Sequence, residues 1–327
     1  MRQQAFEQEY RPVWQEFDNL MQDLAGKGSG KGVVQHYRLP HLYRQICHHY
    51  AMARERYYSP HLIASLHRRI LTGHQFLYRY KSSWLWRILK FILAGFPQQV
   101  RRHAKYFYLS MALFITPLVV MGLACYLDSE LIYSILPANA VAQIEYTYNP
   151  ANEKIGRSAD RQSDTSFMMF GYYIFNNISI GFRSYAMGIL LGIGTVFMVL
   201  YNGMIIGGIA GYLTRFGYIE TFWPFVSGHS AFELTAIVIC GAAGLRLAQP
   251  IIAPGRYSRS DALKLAGKES IELVLGAALM LVVAAFIEAF WSPSTWTSIT
   301  VKYIVAGFFW LTVILYLSLA GKKADAD

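Results

Sequence analysis

Apolar side chains recur at three- and four-residue intervals along the amino-terminal third of the chain, which is the spacing of one face of a helix. One stripe occupies residues 5–24, and two more follow Pro40 and Ser59-Pro60. Serine before proline favours the start of a helix, and the glycine-rich stretch 26–32 predicts a flexible linker. We therefore predict a small helical bundle that could serve as a docking surface or as a folded anchor. The three stripes consist of Phe6, Tyr10, Trp14, Phe17, Met21 and Leu24, then Leu42, Ile46, Tyr50 and Ala53, then Leu62, Leu66, Ile70 and Leu77.

Residues 83–96 form a short apolar stretch that two cations interrupt. The stretch is too short to cross a membrane, and tryptophan prefers the headgroup region. We predict an interfacial helix that Pro97 ends, followed by basic residues at the cytoplasmic edge of the first span. The side chains expected at the membrane surface are Trp84, Trp86, Arg87, Lys90, Arg101 and Arg102.

Long apolar runs dominate the rest of the chain. A further run, 167–185, is apolar enough to insert into a membrane but carries Asn176, Asn177 and Arg183. If this run crosses, the basic segment 256–268 lies in the cytoplasm, as the positive-inside rule requires; if it lies flat or re-enters, that segment lies outside. We favour six crossings with both termini inside, and the re-entrant alternative stays open because asparagines in lipid need partners. The five clear spans are 106–127, 186–213, 230–252, 270–291 and 302–320.

These runs predict an all-α fold, namely a polytopic membrane helix bundle of five to six spans, in which one segment could be re-entrant or interfacial. A small cytoplasmic helical domain precedes the bundle. We place the basic domain at 1–105, the transmembrane domain at 106–321 with a polar external loop at 128–165, and a short tail at 322–327.

Composition supports a membrane protein, because 54% of the 327 residues are hydrophobic and only 15% are charged. Residues 1–106 carry 17 Lys and Arg against six Asp and Glu, and cations beside spans are retained in the cytoplasm. The chain is therefore expected to be an inner-membrane protein with its amino terminus in the cytoplasm. Lipid headgroups are the expected partner of the basic surface, and no nucleic acid is predicted. Cys47, Cys125 and Cys240 stand singly, so neither a disulfide framework nor a zinc site is predicted.

Five glycines recur at four-residue spacing within the second predicted span and allow two helix backbones to approach closely. They could form the interface of a homodimer or pack helices within one bundle, and the sequence leaves both open. The glycines are Gly188 and Gly192, then Gly203, Gly207 and Gly211.

The sharpest polar pair of the membrane half is His229 and Glu233, which are four residues apart on one helix face where a span begins. Such a pair can bind a metal or relay a proton, or it can pin a helix end beside Pro224. Glu288 lies deep in an apolar run and needs a partner or a proton. No span offers a second histidine, so we predict neither a metal nor a cofactor. The predicted intramembrane polar site comprises Asn176, Asn177, Arg183, Asn202, His229, Glu233 and Glu288.

The order of these elements resembles the stage II sporulation protein M family. The resemblance covers about 106–320 and includes Asn176-Asn177, the glycine-rich span with Asn202-Gly203, and the helix that begins at Gly228-His229. It also includes Glu233, Gly241, Gly244, Leu245-Arg246 and Pro254-Gly255.

The resemblance implies an integral membrane protein rather than an enzyme. In spore formers, members act as the membrane scaffold of a complex that remodels peptidoglycan during engulfment. In bacteria without spores, similar proteins are encoded near MoxR-type ATPases and other envelope proteins. This chain differs from the short sporulation form in its long basic amino-terminal domain, so the engulfment role does not carry over directly.

Two main hypotheses of function follow, and a third, an intramembrane metal hydrolase, would need ligands that the spans do not offer. The first is a dimeric membrane scaffold that recruits a cytoplasmic ATPase or envelope-remodelling proteins through its basic domain. The alternative is a transporter or channel whose polar route includes His229, Glu233 and Glu288. No phosphate-binding loop, nucleophile elbow or HExxH helix is present, and no enzyme is predicted.

Overall fold

A computed structural model describes residues 2–25, 38–77, 84–151, 165–294 and 296–322. All regular structure in these residues is helical, so the predicted all-α fold is confirmed. The chain divides into two compact units, Met1–Trp86 and Arg87–Asp327. The predicted glycine-rich linker 26–32 lies outside the described residues.

The first unit contains three helices, α1 (Gln3–Ala25), α2 (Leu39–Glu55) and α3 (Pro60–Leu77). Their apolar faces form one core, as the periodicity predicts. Ser59 begins α3, because its hydroxyl accepts a hydrogen bond from the amide of Leu62. The buried core residues are Phe6, Trp14, Phe17, Leu20, Met21, Leu39, Leu42, Ile46, Ala53, Leu62 and Leu66.

A polar pair of rings is enclosed in this core. The indole of Trp14 donates a hydrogen bond from Nε1 to Nδ1 of His49 at 3.1 Å. His49 is only 4% exposed and packs against the ring of Tyr10. On the outside of the bundle, the Arg69 guanidinium joins α3 to α1 through a bidentate contact with the Asp18 carboxylate.

The helix before the first span continues through Pro97, although the sequence predicts that it ends there. Helix α4 (Trp84–Lys90) runs into a π-helical turn, Phe91–Gly95, and then into α5 (Phe96–Arg102). Pro97 has no N–H to donate, and the wider turn accommodates that loss. The hydroxyl of Tyr316 instead donates to the Ile92 carbonyl, which satisfies an acceptor near the break.

Five helices are long and apolar enough to cross a membrane, which confirms the five clear spans. Three of them start far from the predicted residues. The second span begins at Ile193 rather than near residue 186, the third at Ile219 rather than near residue 230, and the fourth at Arg259 rather than near residue 270. They are α6 (Ala104–Leu127), α9 (Ile193–Arg215), α10 (Ile219–Ile252), α11 (Arg259–Phe286, extended by a π-helical turn, Ile287–Trp291) and α12 (Ile299–Leu319).

The early start of α10 changes the setting of the polar pair. Pro224 lies inside this helix, so His229 is about three turns from its first residue and does not begin a span. A proline in a long membrane helix is tolerated when neighbouring groups satisfy the carbonyl that it leaves free. The pair therefore projects from the side of a packed helix rather than from its end.

The segment after the first span is more ordered than a polar loop. Within its described part, a 3₁₀ turn, Ser129–Ser134, precedes α7 (Ala138–Tyr148). Ile132 and Val141 are buried against the ends of α9 and α10. Their apolar side chains give these short helices a face to bury, which the prediction of a loop from charge overlooked.

The ambiguous run forms α8 (Thr165–Ala186), a continuous helix of 22 residues. At 1.5 Å per residue, its length is about 33 Å, which is enough to cross a bilayer. It packs along the bundle from Asn177, beside Glu288, to Ser184, whose carbonyl accepts from the Thr195 hydroxyl. It is therefore a full member of the bundle, although its hydropathy is lower than that of the five clear spans.

Helix direction explains why α8 must return across the bundle. Phe114, Leu118 and Gly122 of α6 contact successive glycines of α9 in the same order, so α6 and α9 run parallel. The chain between two parallel neighbours must come back to the first end, and α8 is the helix that does so. Helices α6, α9 and α11 run one way, and α8, α10 and α12 run the other. We call the end where α6, α9 and α11 begin the basic face, and the other end the far face.

Candidate functional site

Four polar side chains meet inside the helix bundle. Asn177 of α8 donates from Nδ2 to Oε2 of Glu288 at 3.4 Å. In α10, Nε2 of His229 lies 3.6 Å from Oε2 of Glu233. One ligand atom from each of His229, Glu233 and Glu288 lies within 4.8 Å of the others. We call these four residues the polar cluster.

The π-helical turn at the end of α11 presents Glu288 to the cluster. The amide of Ser292 bonds to the carbonyl of Ile287, five residues back, instead of four. Such a turn widens the helix locally, and π-turns inside long helices are frequent at functional sites. It lets both Glu288 and Ser292 face α10.

A second layer of polar groups holds His229 in place. Nδ1 of the imidazole and the hydroxyl of Ser292 are 3.1 Å apart and share a hydrogen bond. The ammonium of Lys302, which is 2% exposed, donates to the Ser292 carbonyl at 2.8 Å. With Nδ1 engaged, the Nε2 atom of His229 is directed to the carboxylate of Glu233.

Tyr148, the last residue of α7, lies at the far-face side of the cluster. Its ring packs edge-on against Phe222 and Phe225 of α10. Burial raises the pKa of the Tyr148 hydroxyl, and the carboxylates of Glu288 and Glu233 raise it further. The phenol therefore stays neutral close to two acidic side chains.

The structure brings together only part of the predicted polar site. Asn176 touches the cluster indirectly, because its Nδ2 donates to the side-chain oxygen of Asn177. Asn202 instead donates to the Met198 carbonyl of its own helix. Arg183 is exposed in the last turn of α8, where its charge complements the helix dipole.

Sequence reasoning did not find Ser292, Lys302 or Tyr148. Ser292 follows Glu288 by four residues, and this helical spacing could have indicated that the two share a face. Lys302 lies in the first turn of an apolar span, and this position could have suggested that its ammonium has a buried partner. Tyr148 comes from a segment outside the spans, and no local pattern connects it to the cluster.

The glycine registers are occupied by helix packing within this chain. A Cβ on Gly203, Gly207 or Gly211 would overlap a carbonyl oxygen of α6. Gly188 lies against the backbone of Gly244. These contacts place four of the five glycines between helices of one chain, where they are unavailable to a second copy.

Gly188 and Gly192 do not continue the helical register of the other three glycines. They lie in a break between α8 and α9, where a 3₁₀ turn, Met187–Ile189, precedes two residues with positive φ. Gly192 has a φ of +82°, which glycine adopts without strain, and it is the residue before α9. The predicted start of the second span near residue 186 is therefore wrong, whereas the span itself is present from Ile193.

The predicted membrane-surface residues fall into two groups. Trp84 and Trp86 are 68% and 61% exposed, and Arg87 and Lys90 are also exposed. Arg101 instead donates from its guanidinium to the carbonyls of Leu317 and Ala320 at the end of α12. Arg101 therefore caps the carboxyl end of α12 and also contributes a positive charge at the basic face.

Arg102 belongs to a group of charges at the same face. Its guanidinium is 3.5 Å from the Glu269 carboxylate, which also accepts two hydrogen bonds from Arg246. Burial lowers the pKa of the neighbouring His103, and the Glu269 carboxylate opposes that effect. This group fastens the start of α6 to α10 and α11.

A bundle of long apolar helices with outward-facing leucine, isoleucine and valine side chains defines an integral membrane protein, and the polar cluster is an internal hydrophilic site within it. The sequence model described as Stage II sporulation protein M matches residues 110–293, more than half of the chain. The chain therefore belongs to the stage II sporulation protein M family. The matched region contains the whole polar cluster.

A second family model, described as a domain of unknown function (DUF8413), matches residues 4–79 and thus covers α1 to α3. Searches of curated proteins and of solved structures find no match to the chain. The resemblance proposed from the sequence is confirmed, and the family match begins after the first turn of α6.

Proposed function

We propose that this protein is a non-enzymatic membrane scaffold that recruits partners for cell-envelope processes through its amino-terminal domain. The observation that carries the proposal is the separate core of α1 to α3, which form a compact unit apart from the membrane bundle. Anchoring alone would not require this unit, because the membrane spans already hold the chain in the bilayer. The separate family match over 4–79 supports the same division.

The surface of this domain offers charge for a partner. Arg44 on α2 and Arg68 on α3 are exposed, and the apolar stripes that could have bound a partner helix are consumed by the core. Recognition would therefore rest on guanidinium groups, which favour carboxylates and phosphates. An acidic surface of a cytoplasmic ATPase or envelope-remodelling protein fits this requirement.

The proposed orientation places the basic face and the amino terminus in the cytoplasm of a bacterial inner membrane. Arg101 and Arg102 precede α6, Lys105 lies in its first turn, and Arg259 begins α11 at the same end of the bundle. With α8 as the return helix, six crossings bring all these cations to one side, as the positive-inside rule requires. If α8 did not cross, the start of α6 and the start of α11 would lie on opposite sides of the membrane.

A homodimer remains part of the proposal, but the glycine spacing no longer supports it. The glycine registers pack α9 against α6 and cannot serve a second copy. A dimer would have to use an outer surface of the bundle. Size-exclusion chromatography with light scattering on the purified protein would give its mass directly.

Capture of partners from solubilised membranes tests recruitment. Full-length protein with Arg44→Glu and Arg68→Glu should lose cytoplasmic partners that the wild type retains, because charge reversal at exposed sites removes the attraction without touching the core. The matched control, Arg44→Lys with Arg68→Lys, should retain most of them. Identical partner sets for wild type, charge-reversed protein and a chain lacking residues 1–77 would contradict recruitment.

The polar cluster favours a second candidate function, transport of a proton or small cation. Ionisable groups inside a membrane bundle mark ion pathways in many membrane proteins, and two carboxylates here approach each other. Purified protein in proteoliposomes should then conduct, and Glu233→Gln or Glu288→Gln should reduce the flux. Absence of flux under any imposed gradient would remove this candidate.

A further inference from the structure

We propose that His229, Glu233 and Glu288 bind a divalent transition-metal ion inside the bundle, a role that goes beyond both functions above. These side chains come from α10 and from the π-helical turn after α11. The sequence predicts no metal site because it offers a single histidine in the spans. The fold supplies the missing ligand by bringing Glu288 to the His229 and Glu233 pair.

The ligand set suits a transition metal. Imidazole and carboxylate together are ligands of zinc, manganese and iron, whereas magnesium and calcium prefer oxygen alone. Three protein ligands with one position left open is an arrangement that zinc commonly adopts. Sulfur does not contribute, since Cys125 and Cys240 belong to other packing clusters.

The spacing of the ligand atoms fits with small movements. Two ligands of a tetrahedral zinc, each about 2.1 Å from the ion, are about 3.4 Å apart. Nε2 of His229 and Oε2 of Glu233 are 3.6 Å apart. The three ligand atoms lie within 4.8 Å of one another. Rotation of the Glu288 side chain that moves its carboxylate oxygen by up to about 1.4 Å would bring all three to the separation that zinc requires.

Groups behind the ligands are arranged as they are around bound metals. A metal-binding histidine usually engages its other ring nitrogen in a hydrogen bond that fixes the ring. His229 does so through Nδ1 and Ser292, which leaves Nε2 facing the carboxylates. Asn177 orients Glu288 in the same manner.

Two carboxyl groups this close inside the bundle need either protons or a cation to offset their charge. Glu233 and Glu288 approach each other inside the bundle, and among the described residues no lysine or arginine forms an ion pair with either. The buried ammonium of Lys302 donates to the Ser292 carbonyl instead. Two ionised carboxylates without a counter-ion are costly in a low-dielectric interior. One divalent ion would neutralise both of them.

The test uses the full-length protein purified in detergent, stripped with a chelator and dialysed against zinc, with manganese in a parallel arm. Metal content is measured by mass spectrometry, and thermal unfolding is followed with and without metal. We expect about one ion per chain and a higher melting temperature in its presence, because an ion that binds the folded state stabilises it. In Glu288→Gln, metal affinity should fall by about tenfold or more.

Glu269→Gln is the matched control, since Glu269 is a partly buried carboxylate on α11 at the basic face. It should bind metal as the wild type does. Glu233→Gln provides a second ligand variant if Glu288→Gln does not give a monodisperse protein. The proposal is overturned if the wild type takes up neither metal, or if both ligand variants retain wild-type metal content and thermal shift. Metal uptake with no captured partner would leave the site standing while the scaffold fails.

Discussion

His49 in the core of the amino-terminal domain is a residue at which burial and protonation oppose each other. Its Nδ1 accepts a hydrogen bond from Trp14, and its ring packs on Tyr10. Burial lowers the pKa of His49, and the charge of neighbouring His48 lowers it further, while Glu9 opposes both. The folded domain therefore binds this proton less readily than the unfolded chain does.

The sign of the resulting pH dependence follows directly. An unfolded histidine has a pKa of about 6.5, and the folded value is lower, so the contribution of His49 to stability is complete above about pH 6.5. It is lost as the pH falls through the folded pKa. We expect hydrogen exchange in α1 and α2 of the full-length protein, corrected for intrinsic rates, to show less protection at about pH 5 than at about pH 7.5.

His49→Gln should abolish most of this pH effect, because glutamine does not titrate but still offers an oxygen to the Trp14 indole. His61→Gln, an exposed change on α3, is the control and should keep the wild-type response. Protection that falls equally in wild type and His49→Gln would contradict the assignment to His49.

At the site, the sequence predicts the participants better than their pairing. His229 and Glu233 could be joined in advance because a helix brings residues four apart together. The contact of Asn177 with Glu288 spans 111 positions and follows from helix packing alone. Asn202 satisfies its amide on its own helix, and that option was available to every asparagine in the spans.

Among the helices, the contact between α6 and α9 depends on glycine. Gly207 lies against the carbonyl of Leu118 so closely that a Cβ would overlap it. A Cβ on Gly307 of α12 would have no atom of another helix within 4 Å. The two glycines therefore separate the effect of backbone approach from the general effect of replacing glycine in a helix.

Gly207→Ala should destabilise the bundle by about 1–3 kcal/mol, because backbone atoms must move to admit the methyl group. Gly307→Ala should be neutral or slightly stabilising, since alanine is the better helix former. Thermal unfolding of the two purified variants in the same detergent measures the difference. Equal melting temperatures for both would show that α6 and α9 are not packed at these glycines.

Helix periodicity predicts most of the helices, but it does not predict the irregular turns within them. The stripes of α1 to α3 are visible because each buries one face, and three and four residues make about one turn. Periodicity does not reveal the π-helical turns Phe91–Gly95 and Ile287–Trp291. In the first of them, the Ile92 carbonyl accepts a hydrogen bond from Tyr316, which is 224 positions away in the chain. Pro97 and Pro224 were interpreted as helix boundaries, whereas each lies within a continuous helical segment.

For the whole molecule, composition predicts the class of protein and helix direction decides the number of crossings. Hydropathy alone leaves α8 ambiguous, because Asn176, Asn177 and Arg183 lower it. The parallel contact of α6 with α9 then requires a helix that returns between them, and the polar cluster gives Asn177 its partner. Six crossings follow from these contacts, and together with the proposed cytoplasmic position of the basic face they form the central claim of this account.

Cysteine labelling from outside intact cells tests that claim most directly. In a chain whose three native cysteines are replaced, single cysteines at His61, Glu130 and Arg259 sample the amino-terminal domain, the segment after α6 and the start of α11. We predict that an impermeant reagent labels Glu130→Cys in intact cells, and His61→Cys and Arg259→Cys only after permeabilisation. Labelling of Arg259→Cys together with Glu130→Cys in intact cells would contradict the six-crossing bundle.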